Sequence, residues 1–110
     1  MTLGLSSDFE VVEFSSLTSV GVTPSVATTG VNLLFQVTAS GIGDNVQVRL
    51  EASLDNTNFF NLDDDDQDVT ISADGTTGYA LSGCPAKFVR VRLVSISGGS
   101  PTIASKVGAA

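Results

Sequence analysis

Apolar and polar residues alternate along three stretches of this chain. From Val31 to Ala39 one face carries Val31, Leu33, Phe35, Val37 and Ala39. From Val46 to Leu54 the inward set is Val46, Val48, Leu50, Ala52 and Leu54, with Gln47, Arg49, Glu51 and Ser53 pointing out. From Phe88 to Ser95, Val89, Val91 and Leu93 face in while Arg90 and Arg92 share the opposite face. A period of two is what a half-buried antiparallel strand requires, because successive side chains point to opposite faces. Shorter strands are expected near Phe9–Phe14, Leu17–Val22, Phe59–Leu62, Val69–Ala73, Thr77–Ser82 and Thr102–Val107. No segment carries a helical stripe of useful length.

Turn-forming clusters separate these runs. Ser40-Gly41-Ile42-Gly43-Asp44-Asn45 reads as a hairpin-length loop, and Ser97-Gly98-Gly99-Ser100-Pro101 as a turn before the last strand. Asp55-Asn56-Thr57-Asn58 offers side chains that close Asx turns. Seven to nine short strands at this spacing predict an all-β fold, an antiparallel β-sandwich of Ig-like or jelly-roll-like kind. The 110 residues suffice for one domain, 1–110, with residues 1–30 as a docking arm and edge strand.

Composition narrows the function. Asp plus Glu number 12 against 5 Lys plus Arg, a net charge of −7, with no His and one Cys. A phosphate backbone would be repelled, so no nucleic acid is expected as a partner. His-based acid–base chemistry and Cys/His zinc sites cannot be built. Charged residues make up only 15% of the chain, against about 25% in an ordinary soluble domain. Such a surface fits one covered by neighbouring subunits, that is, a homo-oligomer or larger assembly. No run has the length of a membrane helix, and Met1–Asp8 shows no secretion signal, so no membrane partner is expected.

Few residues offer chemistry. In Asp63-Asp64-Asp65-Asp66-Gln67-Asp68, oxygens at Asp64, Asp66 and Asp68 are the candidates for a Ca²⁺ cage. The EF-hand spacing fails: counted from Asp64, the glycine position holds Val69 and the bidentate glutamate position holds Gly75. The run therefore reads as a solvated connection, and no metal or cofactor is expected. Cys84, between Gly83 and Pro85, has no His to activate it and reads as a turn residue, its free thiol suited to a reducing cytoplasm. With no phosphate loop and no room for a cleft around Glu10, Glu13 or Glu51, no enzyme activity and no catalytic residue are expected. Arg49, Arg90 and Arg92 would form a cross-strand charge ladder with Glu51 if their strands are neighbours, either a candidate interface or a solvated sheet face. From Ser15 to Gly30 there is no ionic side chain, so Val20, Val22 and Val26 are the other candidate interface residues. An uncharged edge there needs a cover, expected from a shell or a sister subunit.

Val46 to Asp63 resembles a pattern of small β-sandwich virion proteins of tailed bacteriophages: a strand V-x-V-x-L-E-x-S-L, a tight turn D-G-T-N, then an aromatic. Asn56 stands where Gly is usual, which the left-handed tolerance of Asn permits, and Phe59 where Trp is frequent. Pro85-Ala86-Lys87-Phe88-Val89-Arg90-Val91-Arg92 is similar to the P-x-K-Y/F-V-R-V/F-R strand of the same proteins. The resemblance implies a capsid decoration (cement) protein on the virion surface, made in the host cytoplasm, with the major capsid protein and sister subunits as partners. A tail or fibre component is the nearby alternative. A glycan-binding adhesion module using Asp55–Asn58 and Asp63–Asp68 is another, weakened because Trp is absent and Tyr79 is the sole Tyr.

Overall fold

The computed structural model describes residues 10–29, 32–62, 68–83 and 86–110. Its strands are β1 (Glu10–Glu13), β2 (Gly21–Val22), β3 (Val26–Ala27), β4 (Leu33–Ser53), β5 (Phe60–Asn61), β6 (Val69–Ile71), β7 (Gly75–Leu81) and β8 (Phe88–Ala109). All pairings are antiparallel, and no helix occurs among the described residues. The all-β antiparallel class read from the period of two is the one observed.

The eight strands of the described residues fall within the seven to nine expected, but two of them are not short. β4 and β8 are 21 and 22 residues long and pair from Leu33↔Ala109 to Ser53↔Phe88. Neither Ser40–Asn45 nor Ser97–Pro101 reverses the chain; both lie inside long strands. The reason is that these two glycine-bearing stretches meet each other. A Cβ on Gly43 would overlap the backbone of Gly98 and Gly99, and Gly99 itself sits at φ 72°. Glycine here permits close crossing and bulging of two strands rather than a turn.

The bulges are legible as changes of parity. β4 buries odd residues (Leu33, Phe35, Val37, Ala39) before the irregularity between Ile42 and Asn45, and even ones (Val46, Val48, Leu50, Ala52) after it. β8 buries Val89, Val91 and Leu93, shifts at Val94 so that Ile96 packs inward, and shifts again before Pro101, Ile103 and Val107. One extra residue flips the pattern while the partner strand keeps its own.

These bends divide one sheet into two halves. The first half runs β1–β8–β4–β7, and the second places β2 and β3, β8, β4, then β5 and β6 side by side. Phe35, Leu50, Leu93 and Ile103 are all at 0% exposure and belong to one apolar cluster. A sheet face buries completely only when something covers it, and the described residues contain no helix to do so. The halves therefore cover each other, a sandwich whose corners are made by strands passing from one layer to the other.

The uncharged run before β4 has its own place. Residues 10–29 line the outer edge of β8: Thr23 N–H donates to Val91 O, Val91 N–H donates to Thr23 Oγ1, and Thr28 Oγ1 donates to Ala86 O. Thr23 and Thr28 are nearly fully buried. The run is thus tied to β8 along one side, where threonine hydroxyls satisfy groups a ladder would otherwise leave open.

Candidate functional site

The most densely bonded polar group lies on the outer face of the second half. Antiparallel register sets Arg49 opposite Arg92 and Glu51 opposite both Arg90 and Asn61. The expected charge ladder is thus formed. Arg90 Nε donates to Glu51 Oε1 at 2.8 Å, and Arg92 Nε donates to Glu51 Oε2 at 2.9 Å. Arg49 Nη1 stands 3.6 Å from Glu51 Oε2, and its Nε donates to Asp68 Oδ1 at 2.8 Å. Asn61 Nδ2 also reaches Asp68 Oδ1, and the Arg90 guanidinium stacks 3.9 Å from the centre of the Phe59 ring.

Glu51 is only 4% exposed although it points away from the core. The stems of three arginines bury it while their heads neutralise it. Burial alone would raise its pKa; the hydrogen bonds and charges of Arg90 and Arg92 outweigh that and lower it. Three guanidiniums face two carboxylates, so the plate holds a local charge of about +1 in a chain of net −7. Its chemistry is structural: each arginine Nε is committed to a carboxylate of the same chain. The sequence identified these arginines but not Glu51 as their buried hub. Its signal was Glu51 lying between Arg49 and the paired Arg90 and Arg92.

At the end of this half, Ser53–Asn58 forms a closed turn. Asp55 Oδ1 accepts from the backbone N–H groups of Thr57 and Asn58 and from Ser53 Oγ, and Oδ2 accepts from Asn58 Nδ2. The two backbone donors, then the side chains, hold the Asp55 carboxyl far below the usual range. Asn56 adopts φ 61°, the left-handed conformation expected of it. Beside this turn an open cleft of about 440 Å³ is flanked by Leu54 and Phe60, which are 71% and 70% exposed.

Of the other expected site residues, Val20 and Val22 are exposed, and Val26 packs against the chain's own core. Asp64, Asp66 and Cys84 lie outside the described residues. Asp68 is engaged by Arg49 and Asn61, and no group of three or more metal-binding side chains occurs among the described residues. The sequence reading passed over two exposed apolar residues on the first half, Val11 and Leu34, at 55% and 52%. Leu34 was detectable: it is the apolar residue at an outward position between Leu33 and Phe35.

No family model matches the chain, and no curated protein matches it. Among solved structures, a chain of the Bacillus endospore appendages, described as a novel family of disulfide-linked pili, aligns over 92% of this chain and 82% of its own, at 4% identity and TM-score 0.43. The SPBc2 prophage-derived protein YomS aligns over 92% of this chain and 95% of its own, at 16% identity and TM-score 0.56, so this chain shares the fold of YomS along nearly its whole length.

Proposed function

We propose that this chain is a non-enzymatic structural protein of a bacteriophage virion, a capsid decoration protein that stabilises the head shell. The observation that carries the reading is its end-to-end fold likeness to a prophage-derived protein. The strand and turn motifs at Val46–Asp63 and Pro85–Arg92, and a chain in which only 15% of residues are charged, support it. The mechanism is mass action: a protein that binds only the assembled shell shifts the equilibrium away from disassembly. Docking falls to surfaces the fold leaves open, among them exposed Val20 and Val22 beside β2. The glycan-binding alternative loses support at Asp55, whose two oxygens are occupied by its own turn rather than offered to a sugar.

The test is immunogold labelling of gradient-purified particles from the source strain, with an antibody against the chain. The reading expects the chain in the particle band and gold over the heads. Gold confined to tails or fibres overturns the decoration assignment in favour of the tail alternative. Absence from the particles overturns the virion reading altogether.

A further inference from the structure

We propose that the outer edge of β7 is where a second copy of this chain joins, its own β7 adding antiparallel so that the sheet continues across a twofold axis. Among the described residues β7 pairs with β4 alone, in unbroken register from Leu33↔Leu81 to Ala39↔Gly75. The backbone groups this leaves open follow from the register. Asn32 and Ala110 exchange both of their backbone hydrogen bonds. Antiparallel pairs alternate, so Leu34, Gln36 and Thr38 also bond to β8, and Leu33, Phe35, Val37 and Ala39 turn their groups to β7. Their partners Leu81, Tyr79, Thr77 and Gly75 are thereby used. The N–H and C=O groups of Thr76, Gly78 and Ala80 point away from β4, and all three residues are exposed.

The other edge strands carry guards against such pairing. β1 is four residues long and holds Glu10 and Glu13, β2, β3 and β5 are two residues each, and β6 is three. β7 is seven residues long and has no charge, no proline and no bulge. It is also held in place: the Tyr79 ring packs edge-on against Phe35 at 5.4 Å between centres, and Thr76 Oγ1 lies 3.0 Å from Thr38 Oγ1. An edge fixed in advance costs less to pair. The hydrogen-bond pattern selects the occupant. With the twofold axis at Gly78, Gly78 faces Gly78 of the second copy, and Thr76 faces Ala80. The three open residues of each copy then bond to the same three of the other, and no open N–H or C=O of either edge is left over. The same strand serves both copies, as an isologous contact requires. Side chains brought level there are small, so they do not hold the backbones apart. Charge permits the approach although each chain carries net −7. The carboxylate next to β7 in sequence, Asp74, falls opposite Ser82 of the second copy, about 27 Å along the strands from the other Asp74. One pair of strands is a small contact, so this dimer belongs among the weak, transient ones.

The inference goes beyond the virion reading and is tested without a shell, so either can fail alone. Sedimentation equilibrium from micromolar to millimolar protein should show the wild type passing from monomer to dimer. Amide exchange followed by NMR over the same range should slow several-fold at Thr76, Gly78 and Ala80. The amides of Thr77 and Leu81, bonded to β4, should be slow at both ends of the range. Gly78 is left unchanged in the variants, because a Cβ there would lie 2.8 Å from Phe35 O. Ala80→Pro removes an outward N–H and spares the ladder to β4. It should dimerise roughly tenfold more weakly, with an unchanged circular-dichroism spectrum. If the proline unsettles the fold, Ala80→Lys, which sets a charge on the exposed edge, should weaken the dimer instead. Three results overturn the proposal: a wild type still monomeric at millimolar concentration, a dimer whose Thr76, Gly78 and Ala80 amides exchange as in the monomer, or folded edge variants that dimerise like the wild type. Protection of those amides that appears only when another protein is added overturns it too.

Discussion

The two outer faces of this folded sheet use their charges in opposite ways. On the second half, Arg49, Arg90 and Arg92, three of the chain's five basic residues, converge on Glu51 and Asp68. On the first half, Glu13 and Lys106 face each other in register with no ion pair among the described residues, and Val11 and Leu34 stand exposed beside them. One face is closed on itself; the other is left open. Charge density alone is therefore a poor guide to an interface. A side chain already satisfied within its own chain must lose a partner before it can gain one, whereas an open side chain need not.

The largest effect should come from breaking the closed face. Glu51→Ala leaves three arginines crowded together around a carboxylate site they were built to surround. Losing one member of a buried ion cluster costs about 3 kcal/mol. For a domain of this size that lowers the thermal midpoint by roughly 10 °C or more, measured by circular dichroism or calorimetry. A shift of a degree or two would mean the plate is incidental.

Acid should act next, through the same residue and through Asp55. Both carboxyls have folded-state pKa values below their unfolded ones. Their stabilising contributions are complete above the unfolded values of about 4 and disappear as pH falls through the folded ones. Urea midpoints should thus be flat with respect to these groups near neutrality and drop steeply below about pH 4. Glu51→Gln should make that drop shallower. An unchanged acid limb in the variant would show that Glu51 titrates normally.

The smallest effect should come from the open face. Lys106→Gln should hold its midpoint within about 2 °C of wild type, because a charge in no ion pair among the described residues contributes little to stability. A loss comparable to that of Glu51→Ala would place Lys106 in a network and abolish the contrast between the faces.

Much of this arrangement was legible in the chain. Of the inward sets, Leu33–Ala39, Val46–Ala52 and Val89–Leu93 are buried and Val31 lies outside the described residues, but Leu54, read as inward, is 71% exposed because β4 ends at Ser53; Asn56 takes the backbone conformation its type allows. The continuity of β4 and β8 was not legible. Gly41, Gly43, Gly98 and Gly99 look like punctuation when each stretch is read by itself, and only their mutual crossing makes them bulges inside strands. The role of residues 15–29 was hidden for the same reason. Nothing in an uncharged Ser/Thr run says which strand it lines, and only the fold brings Thr23 and Thr28 to β8 and the residues just before it. The arginine ladder could be anticipated from alternation, but the burial of Glu51 depends on Arg90 and Arg92 arriving from β8, 39 and 41 residues away, and on Asn61 folding back to lie opposite it.

The contrast between the faces can be measured directly on side-chain methyl groups. Relaxation by a soluble gadolinium chelate reports how far each methyl is open to solvent. Val11 and Leu34 methyls should be strongly relaxed, as their exposure of 55% and 52% requires, while those of Val48 and Val91, buried at 0% beneath the closed face, are not. If Val11 and Leu34 methyls are as protected as those of Val48 and Val91, the first face is covered and the contrast between the two faces is wrong.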